Sequence, residues 1–284
     1  MFSEIITVGD EILRGDILNS NAKWLARRLT ALGVTVRRIT SVGDDIEEIK
    51  SALREALRRN NSYIFITGGL GPTRDDMTME AVAKALGRKL VLSEEGLRWV
   101  REKYKRAKER GLIEDENMTP SRLKMAMIPE GATPIYNPLG AATSAKLEVG
   151  GTKIFVLPGV PAEMVAIFES IEPEIKGVRA YHKRLKVHTR DESGIAHIID
   201  EVYEKYGVKV ASYPKIKAGE DFWVELRLSS DDRDTLKSSF MFLKQQLETR
   251  GIKVEELAED KVEDEWEVEV TSSPRSARGF HRKP

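Results

Sequence analysis

Short apolar runs alternate with longer helical patterns along the first part of the chain. Three runs rich in β-branched and aromatic residues predict buried strands, at Glu4–Val8, Val34–Val42 and Tyr63–Ile66. Apolar residues at helical spacing follow these runs, from Ala22 to Leu32, from Ile46 to Leu57 and from Met79 to Leu86. Strands that alternate with helices favour right-handed βαβ units. The pattern therefore predicts an α/β fold with a mainly parallel sheet.

The next stretch is less regular. Residues 112–131 show no clear period apart from a short helical pattern around Arg122–Met127. Beyond them, Ala145–Val149 and Lys153–Leu157 are joined by two glycines, which predicts a β-hairpin. A proline at position 161 then suits the first turn of a helix.

The second half predicts a smaller α+β domain. Its elements are a strand at Arg184–His188, a helix from Ile195 to Tyr206, strands at Val208–Tyr213 and Phe222–Leu228, a helix from Leu236 to Leu247 and a last strand near Ile252–Val254. We expect domains at 1–175 and 178–257. Residues 258–284 form an acidic segment and a tail that we expect to be disordered.

Composition narrows the class of protein. The 284 residues carry 46 basic and 46 acidic side chains, so no global charge selects nucleic acid or a membrane surface. Without cysteine the chain has no disulfide, thiolate zinc site or thiol nucleophile. We expect neither a transmembrane helix nor a signal peptide, and we expect a cytoplasmic location.

A glycine-rich turn separates the third strand from its helix. Three glycines within Gly68–Gly71 leave backbone N–H groups uncovered, and a helix starts near Thr78. Such a turn suits an anion. Asp75 and Asp76 lie in the same turn and would repel a phosphate, so a divalent cation between them and the phosphate is indicated.

Acidic residues follow all three predicted strands. They are Asp10 and Glu11 after the first, Asp44 after the second, and Asp75 and Asp76 after the third. Helix capping explains any one of these turns alone. Because the carboxyl ends of parallel strands share one edge of the sheet, we expect the five side chains to converge on a ligand site there.

Several motifs carry a resemblance to a known family. They are GDEILRG with NSN, VGDD, TGGLGPTRDDMT, NPLGAA and LPGVPAEM. Together they resemble the molybdopterin-binding domain family, and within it the N-terminal part of the CinA-like (competence-damage-inducible) proteins. The similarity covers about residues 1–175, and later residues resemble the smaller second domain of the same proteins. The resemblance implies a three-layer α/β/α sandwich for the first domain.

The resemblance also implies roles for individual residues. Asp44 and Asp76 match the aspartates that carry Mg-dependent chemistry in relatives that handle molybdopterin, so we expect both to be catalytic. With Asp10, Glu11 and Asp75 they are the expected ligands of a divalent metal ion, either Mg²⁺ or a transition metal such as Co²⁺. The expected substrate-binding and phosphate-binding residues are Thr67, Gly68, Gly69, Gly71, Thr78, Asn19, Asn137, Gly140, Pro158 and Gly159.

The activity implied by CinA-like proteins is metal-dependent hydrolysis of ADP-ribose. Nothing in the sequence matches the nicotinamide mononucleotide deamidase domain of longer members, so we do not expect that activity. Two alternatives stay open: adenylyl transfer to molybdopterin, and nucleotide or molybdopterin binding without catalysis. We expect a small nucleotide or pterin substrate and a homo-oligomer, either a dimer or a trimer. A membrane or nucleic-acid partner is not expected.

Overall fold

The computed structural model describes residues 1–178, 181–215 and 222–258. The chain divides into two compact units, Met1–Arg179 and Ala180–Pro284. The predicted tail, 258–284, lies outside the described residues except for its first position. Across the ranges that the structure describes, no helix has both the length and the apolar character needed to cross a membrane.

The first unit alternates strands and helices as the sequence pattern predicts. Its strands are β1 (Phe2–Val8), β2 (Thr35–Val42), β3 (Tyr63–Thr67), β4 (Leu90–Leu92), β5 (Met127–Pro129), β6 (Thr133–Ile135), β7 (Ser144–Val149) and β8 (Thr152–Leu157). Its helices are α1 (Asp10–Leu13), α2 (Ser20–Ala31), α3 (Ile46–Arg58), α4 (Thr78–Ala85), α5 (Glu94–Glu109), α6 (Pro120–Lys124) and α7 (Pro161–Ile171), followed by a 3₁₀ turn at Glu172–Glu174.

The central sheet of this unit has the order β2-β1-β3-β8-β7-β6. The pairs β1–β2, β1–β3 and β3–β8 are parallel, whereas β7 pairs antiparallel with β8 and with β6. The mainly parallel sheet and the β7–β8 hairpin are thus confirmed. The prediction of a helix around Arg122–Met127 was wrong at its C-terminal end. Helix α6 ends at Lys124, and Met127 belongs to β5, where it pairs with Leu92 of β4 in a separate two-stranded sheet.

Helices cover both faces of the central sheet. On one face, Phe65 and Phe155 stack with ring centroids 5.2 Å apart and pack with the buried residues of α2 and α7. On the other face, Ile66 and Val156 pack with buried residues of α3, α4 and α5. Adjacent strand residues point to opposite faces, so each central strand is apolar throughout. The three-layer α/β/α sandwich is confirmed.

The second unit is a smaller antiparallel sheet with two helices. Its elements are β9 (Tyr181–Val187), α8 (Ser193–Tyr206), β10 (Val210–Lys215), β11 (Trp223–Ser230), α9 (Arg233–Thr249) and β12 (Val254–Leu257). The strand order is β10-β11-β9-β12, and all three pairings are antiparallel. The predicted α+β second domain is confirmed, and its core is formed by Leu185, Leu226, Phe240 and their neighbours.

Candidate functional site

A cleft of about 650 Å³ opens at the carboxyl ends of β1, β3 and β8 and beside the turn after β2. This volume is in the range of sites for small molecules. The predicted site residues that line it are Glu11, Asn19, Asp44, Thr67, Gly68, Gly69, Gly71, Asp75, Asp76, Pro158 and Gly159. Asp44 and Asp76, which come from different turns, therefore face the same cavity. Four other predicted residues do not line it: Asp10, Thr78, Asn137 and Gly140.

The glycine turn after β3 is held by close backbone packing. Gly68 has φ +111°, and a Cβ there would lie 2.1 Å from the carbonyl oxygen of Val8. Gly69 has φ +65°, and a Cβ would lie 2.3 Å from Thr78 Oγ1. Only glycine fits at these two positions, because both the backbone conformation and the available space exclude a side chain.

Thr78 fastens this turn from behind. Its N–H donates to the carbonyl of Gly69 at 3.2 Å, and its hydroxyl donates to the carbonyl of Gly68 at 2.8 Å. The side chain is fully buried. Both donors of Thr78 are therefore used by the protein to shape the turn, and its contact with a phosphate stays a prediction.

The turn leaves donors available on its other side. Among the described residues, no protein acceptor takes a hydrogen bond from the N–H groups of Gly69, Leu70 and Gly71. All three residues line the cleft. Consecutive N–H groups without protein partners suit an anion, and the phosphate site at this turn stays a prediction.

Asp76 is fixed against the same turn. Its Oδ2 accepts hydrogen bonds from the N–H and the hydroxyl of Thr73, at 2.8 and 2.5 Å. A Cβ on Gly71 would lie 2.7 Å from the same oxygen. The absence of a side chain at position 71 therefore creates the space in which the carboxylate sits.

Asp44 and Asp10 hold the turns after β2 and β1 together. The N–H of Asp10 donates to Asp44 Oδ2 at 3.0 Å, and the N–H of Asp44 donates to Asp10 Oδ1 at 3.1 Å. Asp10 Oδ2 also lies 3.5 Å from Arg14. Because Asp10 is exposed and already engaged, its place in the structure is that of a residue that positions Asp44.

The cleft is electronegative around Asp44. Burial raises the pKa of its carboxyl group, and the charges of Asp10, Glu11 and Asp75 raise it further, against the lowering effect of the Asp10 N–H. Carboxylates that raise one another's pKa are stabilised by a cation. The chemistry of these side chains thus suits a hard divalent ion.

The carboxylates do not form a complete metal cage by themselves. Nowhere in 1–178, 181–215 or 222–258 do three or more His, Cys, Asp or Glu side chains group closely enough to hold a metal ion. Mg²⁺ is commonly bound by one or two carboxylates together with waters and substrate phosphates. The donor set therefore fits an ion that enters with a phosphorylated substrate, and Asp44 and Asp76 stay its predicted protein ligands.

Hydrogen bonds between side chains and backbone connect the remaining turns. Asn21 Nδ2 donates to Thr67 Oγ1 at 3.0 Å and to the carbonyl of Gly159 at 2.8 Å, while the Thr67 hydroxyl donates to the carbonyl of Pro158 at 2.7 Å. Asn19 caps α2 by accepting from the N–H of Ala22. The predicted residues Asn19, Thr67, Pro158 and Gly159 thus line the cleft and also define its shape.

Sequence reasoning missed four polar residues of the cleft: Thr7, Ser20, Asn21 and Glu163. Asn137 holds Glu163 in the wall of the cleft, because its Nδ2 donates to Glu163 Oε2 at 2.7 Å. A Cβ on Gly140 would lie 2.2 Å from the same oxygen. Asn137 and Gly140 therefore act on the cleft through Glu163. The signal was present in the LPGVPAEM motif, where a glutamate stands in the first turn of α7.

The mouth of the cleft is apolar. Ile17 and Leu18 after β1 and Val160 after β8 line it and are 52%, 78% and 54% exposed. Exposed aliphatic side chains at a polar cleft are suited to pack against a flat ring. The cavity therefore combines an apolar rim with a glycine turn that has free N–H groups and with several carboxylates.

Comparison with known proteins places this architecture in a family. A family model described as "Probable molybdopterin binding domain" matches residues 4–177, and the chain belongs to that family. A second model, described as "FAD synthase, middle domain", matches residues 179–256. The crystal structure of the protein CinA with unknown function from Thermoplasma acidophilum is 42% identical with a TM-score of 0.56, and the match covers 61% of this chain and 96% of that one. The resemblance to CinA-like proteins is thereby confirmed.

Relatives from two organisms match this chain along most of its length. A protein of Pyrococcus furiosus is 45% identical over 257 residues, which is 90% of this chain and 99% of the relative. A protein of Thermococcus kodakarensis is 43% identical over 257 residues, covering 90% of this chain and 100% of the relative. The similarity therefore spans nearly the whole length of these relatives.

Proposed function

We propose that this protein is a metal-dependent hydrolase of a nucleotide diphosphate linkage, with ADP-ribose as its substrate. One observation carries the proposal: Asp44 and Asp76 come from separate turns and face the same cleft as the N–H groups of Gly69, Leu70 and Gly71. Oxygen ligands for a cation thus lie beside donors for a phosphate, and a diphosphate needs both.

The carboxylates, the glycine turn and the apolar rim have different roles in this proposal. Asp44 and Asp76 hold the divalent cation, which when bound polarises a phosphoryl oxygen and lowers the pKa of an attacking water. The free N–H groups of the glycine turn orient the diphosphate and stabilise the charge on its oxygens. Ile17, Leu18 and Val160 pack against the base, which places the linkage between the rim and the carboxylates.

The test is release of AMP from ADP-ribose with and without Mg²⁺ or Co²⁺. We expect metal-dependent release by the wild-type chain, and a loss of at least about a hundredfold in kcat for Asp44→Asn, as is common when a preorganised charged group is removed. Asp45→Asn is the matched control. It removes one negative charge at the next residue but keeps the N-cap of α3, because asparagine caps as well as aspartate.

The control variant should cleave ADP-ribose at the wild-type rate. Cleavage without metal, or equal rates for Asp44→Asn and Asp45→Asn, would contradict the proposal. Chelation by EDTA should abolish release of AMP, and added Mg²⁺ or Co²⁺ should restore it.

A second candidate function is adenylyl transfer to molybdopterin. It is favoured by the descriptions of the two matching families, one a molybdopterin-binding domain and the other part of FAD synthase. It uses the same cation and phosphate groups, so the cleft serves both reactions. Incubation with ATP and molybdopterin separates them: the transferase forms an adenylylated pterin and diphosphate, whereas the hydrolase forms AMP from ADP-ribose. Nucleotide binding without products under either condition would leave the non-catalytic alternative.

A further inference from the structure

The end of the cleft beside β8 is rich in hydrogen-bond acceptors that lack donors. Asn21 is 8% exposed, and its Nδ2 is fully used by Thr67 and Gly159. Its Oδ1 accepts no hydrogen bond from any described residue. A buried acceptor without a donor is costly, by an amount comparable to a lost hydrogen bond. The oxygen has almost no accessible surface, so Asn21 shapes this wall of the cleft and a ligand reaches the oxygen only if the side chain shifts.

Glu163 is a second acceptor in the same wall. Its Oε2 accepts from Asn137, whereas Oε1 has no hydrogen-bond partner within the described part of the chain. Asn137 is itself fixed, because its Oδ1 accepts from the N–H groups of Leu139 and Gly140 at 3.1 and 2.8 Å, and its Nδ2 also donates to the carbonyl of Ala142. The amide can therefore only donate to Glu163, and it holds the carboxylate in place.

The helix dipole favours a carboxylate at the N-terminal end of α7, but that role requires no hydrogen bond to Glu163. The residue stands in the first turn of α7, but no side chain caps that helix. The nearby ammonium of Lys103 donates instead to the carbonyl of Pro138. Gly140 provides the space that the carboxylate occupies. The loop of Asn137 and Gly140 thus makes room for the Glu163 carboxylate, which accepts a hydrogen bond from only one donor in the described part of the chain.

We propose that Glu163 binds the ribose hydroxyls of the substrate's adenosine half, with Asn21 shaping the wall of the cleft beside it. The inference rests on the proposed function, since it assumes a nucleotide in the cleft. Hydroxyls donate to carboxylate and amide oxygens, whereas ionised phosphates only accept. A carboxylate that binds ribose hydroxyls is a recurring solution in dinucleotide sites.

The position of the subsite agrees with this assignment. Val160 of the apolar rim lies one turn before Glu163, so a base packed on Val160 places its own ribose next to the carboxylate. The turn that carries Asp44 follows β2, which is separated from β8 by three strand intervals, or roughly 14 Å. Glu163 thus recognises the nucleoside end, while Asp44 acts at the phosphate end.

The experiment is isothermal titration calorimetry in the presence of Mg²⁺. It measures the affinity of the protein for ADP, for 2′,3′-dideoxy-ADP and for IDP. We expect the wild-type chain to bind ADP about ten to a hundred times more tightly than the dideoxy analogue, because a hydrogen bond to a charged group is lost. Glu163→Gln should bind ADP about ten to a hundred times more weakly and should no longer distinguish ADP from the dideoxy analogue. Glu169→Gln, on the exposed side of the same helix, is the matched control and should behave as wild type.

Three results with ADP and its dideoxy analogue would each overturn the subsite: no measurable binding of ADP, equal binding of the two by the wild type, or undiminished discrimination between them in Glu163→Gln. Discrimination between ADP and IDP that disappears in Glu163→Gln would assign the residue to the base amino group and would also overturn it. Cleavage of ADP-ribose, measured alongside, separates the two proposals. If ADP-ribose is cleaved but ADP and its dideoxy analogue bind equally, the hydrolase proposal stands and the subsite is wrong. If the two ligands are distinguished but ADP-ribose is not cleaved, the subsite stands and the hydrolase proposal is wrong.

Discussion

Gly71→Ala should displace the carboxylate of Asp76 without disturbing the fold. The new Cβ would lie 2.7 Å from Asp76 Oδ2, so the carboxylate must move by about 0.7 Å to reach an ordinary contact distance of 3.4 Å. Gly71 does not have a positive φ, so alanine causes no backbone strain there. The clash involves the end of a side chain, and we expect the free energy of unfolding to change by less than about 1 kcal/mol.

The activity should fall much further than the stability. A misplacement of about 1 Å in a catalytic group can cost about a hundredfold in rate. We therefore expect kcat/KM for ADP-ribose to fall by about tenfold to a hundredfold, while the denaturation midpoint stays close to that of the wild type. Initial rates of AMP release and urea titration on the same preparations measure the two quantities.

A double-mutant cycle shows whether the effect passes through Asp76. If it does, Gly71→Ala should cause no further loss when it is added to Asp76→Asn, because the group that it displaces no longer contributes. Unchanged kcat/KM in Gly71→Ala, or full additivity of the two substitutions, would refute the assignment of Asp76 to the reaction.

Two further predictions concern the framework of the first unit. Thr78→Val leaves the carbonyl of Gly68 without its donor, and denaturant titration should show a loss of about 1–3 kcal/mol, with Thr78→Ser close to wild type. Arg59→Met leaves Glu4, which is 1% exposed, without the cation 2.6 Å away, and should cost about 3–5 kcal/mol. Burial raises the pKa of Glu4, but the hydrogen bonds from Arg59 and Asn61 outweigh it and hold the pKa below its ordinary 4.5. The Glu4 carboxylate therefore contributes its full stabilisation above pH 4.5, and this contribution is lost as the pH falls through the lower folded-state pKa. The free energy of unfolding of the wild type should therefore fall more in acid than that of Glu4→Gln.

The architecture was readable from the sequence because its signals are local. An apolar run such as Tyr63–Ile66 predicts a buried strand, and a helical spacing of apolar residues such as Ile46–Leu57 predicts a helix with one buried face. The end of α6 was missed because a short apolar segment is compatible with either a helix or a strand. Met127 became part of β5 through pairing with Leu92, which is distant in sequence.

The candidate site was readable only in part. Glycines and carboxylates that follow strands mark the edge of a parallel sheet, and Asp44, Asp76 and the glycine turn do face one cleft. Which residues face the ligand and which support them depends on packing between distant turns. Asp10, Thr78 and Asn137 act through neighbours, and Glu163 lines the wall through a contact with Asn137 that local patterns do not encode.

Electron paramagnetic resonance of Mn²⁺ tests the central claim most directly, with a non-hydrolysable methylene analogue of ADP-ribose as the ligand. We predict that Mn²⁺ binds wild-type protein tightly only when the analogue is present, and that Asp44→Asn loses this binding while Asp45→Asn keeps it. Equal Mn²⁺ binding by Asp44→Asn and wild type, or no gain of Mn²⁺ binding on adding the analogue, would contradict a cation held between these carboxylates and a diphosphate.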